Sequence, residues 1–277
     1  MTIDPYTPRQ MAERAATAGV GKAALDTLSL FTLAVLAGAF IALGAQLATI
    51  VGIAPAFGVG PSRLLVGVAF SLGLVLVVLA GAELFTGNML ILIARLQGAV
   101  PTAQLLRNWT IAYAGNFVGA TLTAGLVYAS GQWAIAGGQV GGAALATAHA
   151  KLSLGFVEAV ARGILGNGLV CLAVWLCFGA RSNADRIFSI VPPIAAFVAA
   201  GFEHSVANMY FVPVALLIRH EPLAVDVSGL PADALAGLTW SRFLTANLIP
   251  VTLGNIVGGA LMVAAVYWLV YLRPRPQ

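Results

Sequence analysis

Two octapeptides gather the side chains able to exchange a proton or hydrogen-bond a charged solute: Gly81-Ala82-Glu83-Leu84-Phe85-Thr86-Gly87-Asn88 and Gly201-Phe202-Glu203-His204-Ser205-Val206-Ala207-Asn208. Both read Gly-x-Glu-x-x-x-small-Asn, 120 positions apart, and each interrupts a hydrophobic stretch long enough to cross a bilayer. A carboxylate in such a stretch costs about 2.5–3.5 kcal/mol on insertion scales, so it marks a water-lined path. Paired glycine-interrupted spans at matching places in two halves point to a transport site.

His204 carries the widest chemistry. An imidazole within a break can donate a hydrogen bond or a proton to a small anion in transit; a core histidine making one hydrogen bond is the ordinary alternative. Thr86 is its counterpart in the first break, a hydroxyl that can serve the same solute or bond its own loop. The half-helices after the breaks start near Gly87 and Val206 and aim their N-termini, with unsatisfied N–H groups and partial positive charge, at the bilayer centre. Asn88 and Asn208 sit where helix caps are expected. Glu83 and Glu203 are placed to accept from the exposed N–H groups of the breaks, with direct proton handling as the alternative.

Leu74, Leu84, Phe85, Phe70 and Phe197 flank the breaks and can form an apolar constriction that gates by dewetting, or simply pack the core. Lys151, after His149, stands at the start of the fourth apolar block. It either raises the local anion concentration at the mouth or is a solvated loop lysine. Glu158 and Arg162 are charged at i and i+4 and can pair along one helix face.

The elements that must position these residues follow from composition. The chain is 60% hydrophobic and 9% charged, which excludes an ordinary soluble domain. Six apolar blocks cover 28–53, 64–95, 105–130, 153–179, 186–219 and 242–272. A straight span needs about 20 residues, so the second and fifth blocks, which contain the octapeptides, are over-long and read as two half-helices joined by irregular backbone. Residues 1–27 carry Asp4, Arg9, Glu13, Arg14, Lys22 and Asp26 and predict a surface amphipathic helix rather than a signal peptide. Cys171 and Cys177, six apart in the fourth block, suit neither a metal nor a redox motif and read as packing residues.

Asn108-x6-Gly115-Asn116-x-x-Gly119 matches Asn247-x6-Gly254-Asn255-x-x-Gly258, so the chain is internally duplicated. Three spans per half reverse orientation, giving an inverted 3+3 repeat with the Gly/Ala-rich stretch 131–150 as the join. Gly115-x-x-x-Gly119 and Gly254-x-x-x-Gly258 place small residues on one helix face for close packing, and Asn116 and Asn255 are expected to bond across helices and hold the breaks, with direct contact with solute as the alternative. Arg9, Arg14, Lys22, Arg95, Arg107, Arg181, Arg186, Arg273 and Arg275 fall on one side of the alternating segments; Arg63, Lys151, Arg219 and Arg242 fall on the other. The positive-inside rule therefore puts both termini in the cytoplasm, with 1–27 an N-terminal segment, 28–272 the membrane domain and 273–277 a tail. The same bias explains the net charge of +4 and argues against nucleic acid as a partner.

These motifs resemble the formate/nitrite transporter family from about Leu28 to Leu272. The octapeptides carry the resemblance, extended to Met209 in the second, with support from Asn-Gly-Leu-Val-Cys-Leu-Ala-Val-Trp at 167–175 and Asn-Leu-Ile-Pro-Val-Thr-Leu-Gly-Asn at 247–255. The ending Tyr-Trp-Leu-Val-Tyr-Leu-Arg resembles the formate branch, whereas Glu-Leu-Phe-Thr-Gly at 83–87 is also similar to the nitrite branch. The resemblance implies an aquaporin-like six-helix protomer in a homopentamer of a bacterial inner membrane, one pore per protomer. It further implies a passive or proton-linked path for small monovalent anions (formate, then nitrite or hydrosulfide), with no cofactor and no metal. It makes His204 the central histidine and Thr86 its partner. Leu74, Leu84, Phe70 and Phe197 fall on constriction positions, Asn167 and Asn208 on polar pore positions, and Lys151 on the vestibule lysine. It also links residues 1–27 to pH-dependent gating.

Two rival classes are weaker on the same residues. A neutral-solute pore of the water and glycerol type is expected to show paired Asn-Pro-Ala, and neither break contains proline. An intramembrane enzyme using His204 and Ser205 lacks a separate base, and adjacent residues on a helix point in different directions.

Overall fold

A computed structural model describes residues 4–53 and 57–274, so Arg275 and the end of the tail lie outside the described residues. Within them the chain is helical and contains no strand. Helix α1 (Pro8–Ala23) starts with Thr7 and Gln10 in a capping box. It is followed by α2 (Thr27–Gly52) and α3 (Val59–Ala80). After the first break come a 3-10 turn at Gly87–Leu90 and α4 (Ile91–Leu96), then α5 (Thr102–Ala129). The second half holds α6 (Gln139–Leu152), α7 (Phe156–Cys177) and α8 (Asn183–Ala199), then α9 (Ser205–Ile218) beyond the second break. Two short helices, α10 (Pro222–Ser228) and α11 (Ala232–Ala236), lead to α12 (Trp240–Tyr271). Five of these helices (α2, α3, α5, α7 and α12) are long and apolar enough to cross a membrane.

Both over-long blocks are interrupted at the octapeptides. Residues 81–86 and 201–204 are non-helical. Gly81 at φ +81° and Gly201 at φ +74° end α3 and α8 in the left-handed region, where a Cβ is strained. Two expectations need correction. The stretch 131–150 is more than a join, because α6 runs through it to Leu152 and reaches α9 and α10. Helix α1 is more than a surface helix, because Met11, Ala12, Ala15, Ala16 and Ala23 are buried and it packs on α4. Its small residues allow that approach: a methyl on Gly19 would lie 3.1 Å from Ala94 Cβ.

The glycine pairs set the framework. Helix α2 packs against α5, where an added methyl at Gly119 or Gly38 would collide with the backbone oxygens of Val35 or Asn116. Helix α7 packs against α12, where a methyl at Gly254 or Gly258 would collide with the oxygens of Val160 or Ile164. Such contacts gain dispersion energy in lipid, where the hydrophobic effect does not drive helices together. At the head of α8, a Ser182–Asp185 capping box fixes the start; backbone N–H groups of Arg181 and Ser182 donate to the Asp185 carboxylate and hold it below its ordinary range. The outward faces stay apolar, with Leu122, Leu126, Val157 and Phe188 more than half exposed.

Candidate functional site

The two breaks meet. Thr86 Oγ1 and His204 Nε2 lie 2.8 Å apart, across 118 residues of sequence, and both side chains are buried. His204 also caps α9: its Nδ1 accepts from the Ala207 N–H at 3.1 Å. With Nδ1 serving as acceptor, the neutral ring carries its proton on Nε2 and donates to Thr86. The Thr86 hydroxyl proton then has no acceptor among the described residues. Ser205 Oγ is buried without a partner and does not engage His204, so the pair needed for the enzyme reading is not assembled.

Around each break stands the same polar cluster. In the second, Lys151 Nζ is 2.8 Å from Glu203 Oε1, and Asn208 Nδ2 donates to Glu203 Oε2 at 2.6 Å and to Asn247 Oδ1 at 2.7 Å. Asn247 Nδ2 donates to the Lys151 carbonyl. In the first, Lys22 Nζ is 2.5 Å from Glu83 Oε1, and Asn88 Nδ2 donates to Glu83 Oε2 at 2.8 Å and to Asn108 Oδ1 at 2.9 Å. Asn108 Nδ2 donates to the Lys22 carbonyl. A second shared device fixes the backbone. Asn116 Oδ1 accepts from Phe85 N while its amide donates to the carbonyls of Ala34 and Glu83; Asn255 Oδ1 accepts from Ser205 N while its amide donates to those of Gly163 and Glu203. Asn116 and Asn255 thus bond across helices as their positions predict.

Several expected roles change. The Glu83 carboxylate takes its bonds from Lys22 and Asn88, and that of Glu203 from Lys151 and Asn208 with Asn247 at 3.5 Å. The N–H groups of Glu83 and Glu203 donate to the carbonyls of Leu33 and Arg162, and those of Phe85 and Ser205 to Asn116 and Asn255. Asn88 and Asn208 do not cap: the N-cap positions fall on Thr86 and His204, Asn88 is the second residue of its 3-10 turn and Asn208 the fourth of α9, and each turns its amide to the glutamate. Lys151 is paired rather than a free vestibule charge. Asn208 and Asn167 are fully buried and line neither cavity; Asn167 donates to the carbonyls of Thr86 and Asn255, tying the first break to α12.

Two cavities approach the Thr86–His204 contact from opposite ends of α3. The one at the Arg63 end, called outer after the topology the basic-residue bias predicts, is about 380 Å³ and is lined by Arg63, Phe70, Lys151, Phe197, Glu203 and His204 among others. The one at the Gly81 end, called inner on the same expectation, is about 310 Å³ and is lined by Arg14, Lys22, Leu74, Glu83, Leu84 and Arg186 among others. Phe70, Leu74, Leu84 and Phe197 are all at least 96% buried; the two phenylalanines line the first cavity and the two leucines the second. The rings of Phe70 and Phe197 meet edge-on at 5.9 Å, and Phe197 meets His204 at 6.0 Å. Phe85 is the exception, since it points away from both cavities and packs on Tyr113 at 4.8 Å and on Trp109. The Glu158–Arg162 pair forms at 2.6 Å. Lys22 is the residue whose role the sequence reading missed. The available signal was the match of Asn108 with Asn247, whose partner carbonyl belongs to a lysine in both halves.

Residues 9–269 match the formate/nitrite transporter family. The chain is 44% identical over 278 residues to the formate channel FocA of Escherichia coli strain K12, covering 98% of this chain and 96% of that one. It is 42% identical to a probable formate transporter of Methanothermobacter thermautotrophicus, over 87% of this chain and 88% of the relative. Among solved structures it superposes on a pentameric formate channel with formate bound, with a TM-score of 0.83 and 42% identity over 89% of this chain and 98% of that one. The chain belongs to the formate/nitrite transporter family.

Proposed function

We propose that this chain is a channel for small monovalent anions, formate foremost and nitrite or hydrosulfide next, and not an enzyme. The observation that carries the reading is the buried Thr86–His204 pair, with His204 on the wall of one of two cavities that each hold a lysine–glutamate pair. A bare anion cannot cross the apolar septum between them without a compensating donor. The Thr86 hydroxyl, polarised by Nε2–H, is that donor, and the anion replaces a proton acceptor that the protein does not supply. In this state His204 serves as a hydrogen-bond donor. Proton-linked passage would need the imidazolium, whose Nδ1–H would face the Ala207 N–H, so the α9 cap would have to open first.

The architecture proposed is six spans in an inverted 3+3 repeat, with α3 and the Gly87–Leu96 segment as one broken span and α8 with α9 as the other. The duplicated Lys–Glu–Asn–Asn clusters and Asn116/Asn255 anchors support it. The apolar outer faces suit lipid and neighbouring copies, and the homopentamer is proposed because the solved relative is pentameric. The basic-residue bias supports cytoplasmic termini in the bacterial inner membrane, which places α1 over the inner cavity.

Flux into proteoliposomes tests the reading. Formate uptake should fall at least about tenfold in His204→Phe and in Thr86→Val, the scale of one hydrogen bond to a charged group. Thr86→Ser should keep most of it. Glycerol flux equal to formate flux, and unmoved by either variant, would show that the pair is scaffold and the pore is not anion-selective.

A further inference from the structure

The outer cavity holds two arginines that the pathway described above leaves unused. Arg63, at the head of α3, and Arg162, on α7, converge on the turn at Gly201. A Cβ built on that glycine would lie 2.7 Å from Arg63 Nη2 and 3.8 Å from Arg162 Nη1. Both line the outer cavity together with Lys151 and Glu203, so the lining carries three cations and one carboxylate. That carboxylate is already bound to Lys151. Arg162 spends Nη2 on Glu158 and donates Nη1 to the Gly201 carbonyl at 3.2 Å. Arg63 makes no hydrogen bond or ion pair among the described residues. Two guanidinium groups brought to one point, one of them uncompensated, repel each other unless an anion sits between them.

We propose that Arg63 and Arg162 form an anion-binding subsite at the outer mouth that takes the solute's carboxylate ahead of Lys151 and favours planar oxyanions over hydrosulfide. The inference rests on the anion-channel reading. Its chemistry is that of the guanidinium fork, which matches two coplanar oxygens with two N–H donors, whereas a lysine offers only a point charge. Formate and nitrite present two such oxygens; hydrosulfide presents a single sulfur. Gly201 leaves the present position of the guanidinium open, since a Cβ there would displace Arg63 Nη2.

The test is the concentration dependence of formate and hydrosulfide uptake into proteoliposomes. Arg63 is exposed and unbonded, so Arg63→Gln leaves the fold intact. It should raise the half-saturating formate concentration about fivefold, the scale of one exposed ion pair, with the maximal rate unchanged. Hydrosulfide should shift less than twofold. Arg63→Lys keeps the charge but loses the fork, and should leave formate nearly as weakly held as the glutamine variant. Arg162→Gln should shift formate in the same direction, and the double variant should shift it by less than the product of the two. A formate half-saturation unchanged in Arg63→Gln overturns the subsite. An equal shift for both anions, or full rescue by lysine, reduces it to a diffuse field and overturns it as well. Wild-type protein carrying no formate above protein-free vesicles would instead overturn the channel reading itself.

Discussion

Replacing Lys151 by methionine removes the cation from a pair whose burial differs from that of its counterpart in the other half. The Lys151 side chain is 14% exposed against 5% for Glu203; Lys22 is 35% exposed against 7% for Glu83. Breaking a buried pair by deleting one partner costs about 3–5 kcal/mol, because the remaining charge is left desolvated. Solvent-exposed pairs contribute about 0–1 kcal/mol. Water reaches Lys22 and will partly solvate Glu83 when the lysine is lost, so Lys22→Met should cost about 1 kcal/mol. Lys151→Met should cost about 3 kcal/mol, toward the low end because Asn208 and Asn247 still donate to Glu203. At about 2–4 °C per kcal/mol, these become losses of about 2–4 °C for Lys22→Met and about 6–12 °C for Lys151→Met in the midpoint of thermal unfolding of the purified protein, followed by tryptophan fluorescence. Glu203→Gln in the Lys151→Met background removes the orphaned charge while its amide oxygen still accepts from Asn208. It should recover most of the loss. Equal drops for the two lysine variants, or no recovery on adding Glu203→Gln, would refute the burial argument.

Two further outcomes follow from the backbone anchors and the helix contacts. Asn255→Ala strips a partner from Ser205 N and from the carbonyls of Gly163 and Glu203, and a buried unsatisfied group costs about 1–3 kcal/mol. The variant should unfold at lower temperature and lose formate flux along with stability, whereas loss of flux at unchanged stability would contradict a scaffold role. Gly258→Ala forces a methyl into the Ile164 oxygen and should cost about 1–3 kcal/mol by overpacking. Gly125→Ala in α5, with no neighbour within 4 Å, should be neutral or stabilising. If both alanines shift the unfolding midpoint alike, the α7–α12 contact is not as tight as described.

Much of the fold was legible because its signals are local. Apolar block length, a carboxylate inside each over-long block and a glycine at each break are properties of short windows, and the membrane makes each of them expensive to misplace. The repeat of Asn-x6-Gly-Asn-x-x-Gly with the glycine-carboxylate motif placed the breaks and their anchors, so His204 and Thr86 could be named before any geometry. The partners of those residues were not legible. Periodicity says which face of a helix is apolar, not which atom lies across from it. Glu83 finds Lys22 across 61 residues, and Asn88 turns inward to the glutamate instead of capping, because the left-handed turn at Gly81 sets where the next side chains point. Phe85 sits one position before Thr86, yet the N–H it gives to Asn116 rotates its ring toward Tyr113 and away from both cavities. The meeting of Arg63 with Arg162 likewise exists only because α3, α7 and the Gly201 turn come together. Sequence determined the spans, the breaks and the residues with chemistry to offer; tertiary packing decided which of them face each other, since a buried polar group bonds to whatever the fold brings within 3 Å.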